Sequence, residues 1–295
     1  MTGIGTTLKQ LRLLRGMTQA TLYGGIISRS FAGRLERDQH TISADKLFAI
    51  LDRLNVSADE FRFIQNGYRP TTNRALFIRL LRIYNQQNFP QLRHFDQTYR
   101  NSPDPEQRRL AMVAQLLITI YDHLHWTITP EMTALWERLQ RADYWTIQDL
   151  VYGMMWLLLA TAKQRPDQIQ AGITKMHASC DRYVSDQGDP LAVLRYRAEF
   201  DLLAFQILLQ LPDKQLARKF RAAFTPPHAT YLMLGSELLY QVCEAIWQWY
   251  FGDPAKGDAY LALINSLSDT YYLGTDLRGI LKQYQQIAAA YRQNL

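Results

Sequence analysis

Apolar residues recur along almost the whole chain at intervals of three and four positions, which is the spacing of an amphipathic helix. Leu, Ala, Gln and Arg are frequent in these segments, and the strict alternation typical of strands is scarce. Prolines stand at the boundaries between segments, where they do not break a helix. These prolines are Pro90, Pro103, Pro105, Pro130, Pro166, Pro190, Pro212, Pro226, Pro227 and Pro254. The pattern predicts an all-α protein.

The first 65 residues carry five short helical patterns, which we expect near 4–15, 18–24, 28–37, 43–54 and 57–64. A hydroxyl-bearing residue at a helix start can accept a hydrogen bond from the exposed backbone N–H groups. Four of the predicted starts have one: Thr18, Ser28, Ser43 and Ser57. The stretch that follows is polar, contains Gly and Pro, and interrupts the periodicity. We therefore predict a helical domain over 1–65 and a linker over 66–73.

Longer helical segments fill residues 74–295. Their expected ranges are 74–87, 90–101, 105–124, 131–143, 146–163, 167–186, 190–210, 213–224, 228–251, 254–268 and 275–293. Pairs of these helices recur about every forty residues, which resembles divergent tetratricopeptide-like repeats. In such repeats each helix pair stacks on its neighbours. We expect a five-helix domain followed by a right-handed superhelix of tetratricopeptide-like helix pairs.

The formal net charge of +6 is concentrated at the N-terminal end of the chain. Residues 1–69 contain ten Lys and Arg against six Asp and Glu, and residues 70–110 contain seven against three. The remaining residues contain sixteen basic and eighteen acidic side chains. A basic N-terminal segment followed by a near-neutral remainder indicates a polyanionic partner for the N-terminal part alone.

Residues 18–38 have the order of features of a helix-turn-helix, whose second helix enters the DNA major groove. A short helix opens at Thr18, Gly24 and Gly25 form a turn, and Ser28 caps a second helix. Arginine can pair with guanine, serine can hydrogen-bond to several different bases, and an aromatic ring can contact a thymine methyl group. The expected DNA-binding residues are Thr18, Gln19, Ser28, Arg29, Ser30, Phe31, Arg34 and Arg37.

Phosphate contacts are expected beside these base contacts. Thr18 and Gln19 lie at a helix start, where backbone N–H groups and short polar side chains can hold a phosphate. The first helix adds three basic residues that suit non-specific phosphate contacts: Lys9, Arg12 and Arg15. The alternative interpretation is an arginine face that is only solvated, on an ordinary small helical bundle.

The N-terminal 65 residues resemble the repressor-type helix-turn-helix of the Xre class. The string ISRSFAGRLERDQHTISADKLFAILDRLNVSADEF is similar to the N-terminal domain of the Rgg family of Gram-positive transcription regulators. ADYWTIQDLVYG, residues 142–153, is similar to the Trp-containing segment of the Rgg repeat domain. Asp38 stands where such recognition helices usually end in glycine, so we expect a left-handed residue other than glycine there.

The Rgg resemblance implies an intracellular receptor for a short, re-imported signalling peptide, bound in the groove of the repeat superhelix. Aromatic residues and arginines are favoured anchors at binding surfaces. The expected peptide-binding residues are Arg79, Arg82, Asp149, Tyr152, Met155, Trp156 and Arg195. The alternative is that the aromatic residues only pack between helices and that the arginines are only solvated.

A single helix-turn-helix reads few base pairs, so we expect a homodimer on pseudo-palindromic double-stranded DNA. An apolar stripe in residues 271–295 suits the dimer interface, or packs inside the monomer: Leu277, Ile280, Leu281, Tyr284 and Ile287. Two other functions stay open. The helical domain could serve only dimerisation or protein contact, or the chain could be a repeat scaffold that meets another polyanion.

The sequence favours neither an enzyme nor a metal or cofactor site. His123 and His125, beside Asp122, suggest a metal site, but residues two positions apart on a helix do not share a face. No further cluster of ligands accompanies them. Cys180 and Cys243 are far apart and have the character of buried apolar residues, with a redox switch as the alternative. The longest apolar run covers residues 110–121, too short to span a membrane. With no signal-peptide pattern at the start, the expected location is the cytoplasm, without membrane contact.

Overall fold

The helical periodicity is realised in a computed structural model that describes residues 2–86, 88–122, 128–163, 165–271, 273 and 277–294. Within these ranges the regular secondary structure is helical, apart from an isolated bridge between Ser185 and Gly188. This confirms the predicted all-α class. The chain divides into two units, Met1–Arg82 and Ile83–Leu295. The domain limits predicted at 1–65, 66–73 and 74–295 stay predictions.

The first unit contains the five short helices that the sequence predicts. They are α1 (Ile4–Leu14), α2 (Gln19–Tyr23), α3 (Arg29–Leu35), α4 (Ala44–Leu54) and α5 (Ala58–Gln65). Leu8, Leu22 and Ile50 are fully buried in a shared core, which Leu35 of α3 joins at 1% exposure. The division between the units falls inside α6 (Thr72–Asn85).

Hydroxyl groups cap three of the four predicted helix starts. Thr18 accepts from the backbone N–H of Thr21, and Ser28 accepts from that of Phe31. Ser57 likewise accepts from the N–H of Glu60. Ser43 makes no such hydrogen bond with its side chain, so the cap predicted there is wrong.

Asp38 adopts the left-handed conformation expected for it, with a φ of 56°. Its carboxylate accepts from the backbone N–H groups of Gly5 and Thr6 and from the Thr6 hydroxyl. The helix start of α1 is therefore capped by a residue 33 positions away along the chain. A β-carbon on Gly5 would lie 1.6 Å from the Leu35 carbonyl oxygen, so this approach requires glycine.

The second unit continues the helical series over the rest of the chain. Its helices are α7 (Phe89–Tyr99), α8 (Pro105–Asp122), α9 (Pro130–Arg141), α10 (Ile147–Ala162), α11 (Pro166–Asp181), α12 (Val193–Gln210), α13 (Gln215–Lys219), α14 (Leu234–Phe251), α15 (Pro254–Thr270) and α16 (Leu277–Gln293). In the described residues, no helix combines the length and the apolar character that crossing a bilayer requires.

Alternate helices of this unit form a layer, in which α8 contacts α10, α10 contacts α12, α12 contacts α14 and α14 contacts α16. The intervening helices pack against that layer: α9 and α11 on α10, α11 also on α12, and α15 on α14 and α16. This is the arrangement of stacked helix pairs that the forty-residue period predicts.

Indole rings lie directly on glycines where consecutive helices approach most closely. A β-carbon on Gly172 of α11 would lie 2.3 Å from Nε1 of Trp156 on α10. A β-carbon on Gly257 of α15 would lie 2.5 Å from Nε1 of Trp249 on α14. Both tryptophans are almost completely buried. These rings are packing elements, so the packing interpretation of the aromatic residues holds here.

Several predicted helix limits are wrong where local backbone conformation overrides the apolar pattern. The helix expected over 228–251 begins only at Leu234, because His228 has a φ of 59° and a short 3-10 helix follows it. The helix expected from 190 begins at Val193, after the left-handed Ala192. There the Asp189 carboxylate accepts from the N–H groups of Val193 and Leu194. The helix expected over 213–224 becomes α13 followed by a 3-10 helix.

Candidate functional site

Helix α3 presents a polar face and buries an apolar one. Ala32 and Leu35 are 0% and 1% exposed and anchor the helix in the core of the first unit. The exposed residues at the start of the helix, along it and just beyond its end are Ser28, Arg29, Ser30, Arg34 and Arg37. The structure thus places five of the predicted DNA-binding residues on one accessible surface, with two arginines on the helix itself.

Phe31 is half-buried and lies beside that surface. Its ring stacks on the imidazole of His40, with centroids 5.4 Å apart and planes at 15°. In the same loop, Arg37 Nε donates to Gln39 Oε1 at 3.1 Å. His40 is not predictable from the sequence, because no local pattern indicates that the loop after α3 folds back onto the helix.

The carboxylate of Glu36, which follows α3, binds four donors inside the first unit. Arg12 donates to it through Nε at 2.6 Å and Nη2 at 3.0 Å. Gln19 Nε2 donates at 2.8 Å and the Tyr23 hydroxyl at 2.9 Å. Burial opposes ionisation, but these hydrogen bonds outweigh it and lower the pKa of Glu36. Glu36 thereby connects α1 and α2 to the end of α3.

This cluster changes two of the expected phosphate contacts. Arg12 is only 9% exposed and is paired with Glu36, so the free phosphate contact expected of it is wrong. Gln19 is half-buried and donates one side-chain hydrogen bond to Glu36, although it stands at the start of α2 as predicted. Thr18, Lys9 and Arg15 keep exposed side chains.

Residues 8–61 match the family model described as helix-turn-helix. The first unit contains a helix-turn-helix domain. In this domain α2 and α3 are the two helices that define the motif, and Gly24 and Gly25 open the connection between them, as the sequence predicts. Gly25 has a φ of 80°, and a β-carbon on Gly24 would lie 2.6 Å from the Ala20 carbonyl oxygen.

The helix-turn-helix connection is also held by an arginine from outside the motif. Arg53 of α4 donates through Nη1 to the carbonyl oxygens of Leu22 and Gly24, both at 2.8 Å, and to that of Thr21 at 3.4 Å. Nothing in the sequence around Arg53 distinguishes it from an ordinary charged residue on a helix surface.

Nearly all of this chain shares its fold with solved structures. A candidate transcriptional regulator from Listeria monocytogenes EGD-e has a TM-score of 0.71 and 17% identity, covering 99% of this chain and 98% of that chain. The SHP pheromone receptor Rgg2 from Streptococcus dysgalactiae has a TM-score of 0.64 and 15% identity, with 99% and 100% covered. The PrgX/cCF10 complex gives 0.63 and 14%, with 96% and 98% covered. No curated protein matches the sequence. The fold expected from the Rgg resemblance is confirmed.

In the second unit, four of the predicted peptide-binding residues are buried. The exposed fractions are 6% for Asp149, 3% for Tyr152, 4% for Met155 and 2% for Trp156. Trp156 stacks on Trp136 with centroids 4.0 Å apart. The Tyr152 hydroxyl donates to Glu106 Oε1 at 3.1 Å. Asp149 is ion-paired with Arg138 and accepts from the backbone N–H of Thr146, the N-cap of α10, in a capping box. The expectation that this stripe lines an open groove is therefore wrong.

A different stripe is accessible on the same helix and on its neighbour. On α10, Val151 and Met154 are half-exposed and lie on the side opposite to Trp156, which faces α11. On α12, the accessible stripe contains the predicted Arg195 and, at the following turns, Glu199, Leu203 and Gln206. It lies opposite to Asp201, which contacts α11 through His177. The two stripes therefore lie on the same side of the helical layer.

Glu199 stands out on this surface, which we call the α10–α12 face. Its side chain is 40% exposed, yet the surrounding protein raises the pKa of its carboxyl group. Arg195, one turn away, opposes that shift from 3.8 Å. A carboxylate that is both accessible and partly desolvated favours a cationic or hydrogen-bond-donating ligand group.

A buried polar cluster joins α11, α12 and α14 on the other side of α12. The fully buried Asp201 receives hydrogen bonds from the Tyr240 hydroxyl at 2.9 Å and pairs with His177 Nε2 at 2.6 Å. Arg197 lies beside it and donates to Asp181 at 2.6 Å. Burial raises the pKa of the Tyr240 hydroxyl. The buried Nε of Arg197 has no hydrogen-bond partner among the described residues and lies 3.8 Å from Asp201 Oδ2. The hydrogen bonds that the cluster does make connect α11, α12 and α14 and so support helix packing.

The remaining predicted residues divide between surface and core. Arg79 and Arg82 are exposed on α6, and their peptide contacts stay a prediction. Three members of the C-terminal stripe, Leu277, Leu281 and Tyr284, are buried within the second unit, so packing inside the monomer holds for them. Ile280 is half-buried and Ile287 is exposed, and the dimer interface expected over 271–295 stays a prediction. His123, His125 and residues 274–276 lie outside the described residues.

Both cysteines are buried. Burial raises the pKa of the Cys180 thiol to about 12 and that of Cys243 as well, which disfavours the reactive thiolate form. Across the described residues, no group of three His, Cys, Asp or Glu side chains is placed to hold a metal ion.

Proposed function

We propose that this protein is a cytoplasmic, DNA-binding transcription regulator that is gated by a short signalling peptide bound to its helical repeat unit. The proposal rests on one observation. In a single chain, a helix-turn-helix domain with accessible arginines precedes stacked helix pairs, and the whole has the fold of the pheromone receptor Rgg2. Such a regulator acts without catalysis, so its output is a change in DNA binding.

The proposed DNA-reading residues are those on the exposed face of α3. Arg29 and Arg34 are suited to bidentate contacts with guanine, and Ser28 and Ser30 to adaptable polar contacts. Phe31, supported by the stacked His40, presents a ring edge for a thymine methyl group. Thr18 and Arg37, with Gln19, Lys9 and Arg15, contact phosphates and fix the orientation of the domain.

The proposed peptide surface is the α10–α12 face. It combines apolar side chains on α10 with an arginine, a carboxylate and an amide on α12, a mixture suited to an extended peptide with both apolar and polar groups. The buried stripe that the sequence indicated would instead support this surface from below. Arg79 and Arg82 remain proposed partners for an acidic group of the peptide.

A homodimer on a pseudo-palindromic operator completes the proposal. Two copies of α3 spaced by about one helical turn of DNA, or a multiple of it, supply the specificity that one domain lacks. The peptide would favour one arrangement of the two DNA-binding domains, and coupling of about 1–3 kcal/mol is typical of such switches.

The test of DNA reading is a selection from a random duplex pool, followed by titrations across salt concentrations. We expect Arg29→Ala and Arg34→Ala each to lower the discrimination between selected and shuffled duplexes by about 1–3 kcal/mol. The matched control Arg62→Ala removes an exposed arginine of α5 and should preserve that discrimination. An equal loss on all duplexes would make these arginines phosphate contacts.

The test of gating is calorimetric titration of peptides that co-purify with the protein, identified by mass spectrometry and then synthesised. Gating requires that operator DNA change the affinity for the peptide by the same factor as the peptide changes the affinity for DNA. Identical peptide affinity with and without operator would contradict gating. A DNA affinity that no co-purifying peptide changes would favour a regulator whose helical unit serves only dimerisation or protein contact.

A further inference from the structure

The connection between α2 and α3 depends on a side chain that lies outside the helix-turn-helix motif. Helix α2 has only five residues, and its last carbonyl groups have no partner within the helix. Nη1 of Arg53 donates to three carbonyl oxygens at this helix end and turn, those of Thr21, Leu22 and Gly24. A cation at a helix C-terminus also interacts favourably with the helix dipole.

The orientation of α3 is sensitive to that connection. Helix α3 has seven residues and contains Gly33, so it has little intrinsic stability of its own. Its start is fixed by the Ser28 cap and by the turn before it. The turn contains two glycines, and glycine leaves the backbone the most freedom. Core packing of Ala32 and Leu35 and the hydrogen bonds of Glu36 hold the middle and the end of α3. The angle at the start of α3 therefore depends on what holds the glycine-containing turn.

We infer that Arg53 is a positioning residue for sequence-specific DNA reading, which holds the α2–α3 turn through three backbone carbonyl oxygens and thereby fixes the angle at which α3 meets the bases. The inference rests on the proposed DNA-binding function. Arg53 itself acts through the protein backbone, so it alters discrimination between sequences and leaves the general attraction to phosphates in place.

This assignment differs from that of a phosphate contact in a measurable way. Loss of a phosphate contact weakens binding to every duplex and lowers the dependence of the affinity on salt. Loss of a positioning contact weakens binding to the selected duplex much more than binding to a shuffled one. A purely structural role would lower the melting temperature and leave the discrimination of the folded protein unchanged.

The experiment uses the full-length protein, a duplex selected by the wild type from a random pool, and a shuffled duplex of the same composition. Both affinities are measured between about 50 and 200 mM salt, well below the melting temperature. Arg53→Met removes every donor, Arg53→Lys keeps the charge and a single donor nitrogen, and Arg62→Met is the control that removes an equal charge from α5.

We expect Arg53→Met to reduce the ratio of selected to shuffled affinity by about tenfold, as for the loss of one base contact. Its salt dependence on the shuffled duplex should equal that of the wild type. Arg53→Lys should give an intermediate ratio, and Arg62→Met the wild-type ratio. If Arg53→Met fails to fold, a Lys variant with the wild-type ratio overturns the inference.

Three results overturn the inference while leaving the proposed function intact. The first is an unchanged ratio of selected to shuffled affinity in folded Arg53→Met. The second is an equal loss of affinity for both duplexes in this variant, with a smaller salt dependence. The third is a decrease of the affinity ratio in Arg62→Met that equals the decrease in Arg53→Met. If the wild type itself shows no preference for any selected duplex, the proposed function fails instead. The two failures are therefore distinguishable in one set of titrations.

Discussion

Replacement of Glu36 by glutamine tests the internal organisation of the DNA-binding domain most directly. The side chain of Glu36 is 4% exposed and that of Arg12 is 10% exposed, so solvent screens their interaction little. The glutamine amide replaces one carboxylate oxygen by an NH2 group, which cannot accept the hydrogen bonds that the surrounding donors make to that oxygen. Two of the four hydrogen bonds are then lost, and the guanidinium of Arg12 loses its buried counter-charge.

The magnitude follows from those losses. A hydrogen bond to a charged group contributes about 1.5–3 kcal/mol, and removing one partner of a buried ion pair costs about 3–5 kcal/mol. We expect Glu36→Gln to lower the free energy of unfolding of this domain by about 3–5 kcal/mol. A domain of this size has a total of about 3–10 kcal/mol, so the variant is marginally folded or unfolded locally.

The assay uses the positions of the tryptophans. All six lie between Trp126 and Trp249, so tryptophan fluorescence reports on the second unit alone. Amide hydrogen exchange of peptides from residues 2–66 reports on the DNA-binding domain in the same full-length protein. We expect faster exchange in those peptides, with an unchanged fluorescence melting curve.

Acid titration adds an independent readout. Because the pKa of Glu36 is lower in the folded state, its stabilising contribution is complete above the unfolded value of about 4.3 and is lost as the pH falls towards the folded value. Glu36→Gln should remove this part of the acid dependence. The control Glu60→Gln changes an exposed carboxylate on α5. If the free energy of unfolding measured by hydrogen exchange for Glu36→Gln lies within about 1 kcal/mol of that for Glu60→Gln, the reasoning is refuted.

Two further predictions concern backbone geometry. Asp38→Ala loses the α1 cap and keeps an unfavourable left-handed conformation, whereas Asp38→Gly loses only the cap. The free energy of unfolding from hydrogen exchange should therefore be about 1 kcal/mol lower for the alanine variant than for the glycine variant. Equal stabilities of the two variants would contradict this account. Gly172→Ala introduces a methyl group 2.3 Å from Trp156 Nε1 and should lower the fluorescence melting temperature of the second unit. The control Gly235→Ala meets no atom within 4 Å and should not, so a matching decrease there would exclude the packing explanation.

Local sequence signals were sufficient for the helical framework. The caps at Thr18, Ser28 and Ser57 and the Gly24-Gly25 turn depend on residues within three positions, which the sequence displays directly. Contacts between distant residues leave no such trace. Nothing in the neighbourhood of Asp38 or Arg53 indicates that one caps α1 and the other holds the turn after α2.

The candidate ligand surface shows a second limit. Helix α10 is apolar on nearly all sides, so its periodicity does not reveal which stripe faces its neighbours. The stripe containing Tyr152 and Trp156 was chosen for its aromatic character, yet large rings are also what fills the space between packed helices. The accessible stripe is the less conspicuous one, with Val151 and Met154. Only the direction of α11 decides between them.

The indole-on-glycine contacts impose a condition on how this sequence can diverge. With 2.3 Å between Trp156 Nε1 and a β-carbon at position 172, any side chain at 172 requires a smaller residue at 156, or a wider spacing between α10 and α11. The same holds for positions 249 and 257. Within sequences that keep this helix spacing, each pair should therefore change together, and a single change at either position should persist only when a second one compensates for it.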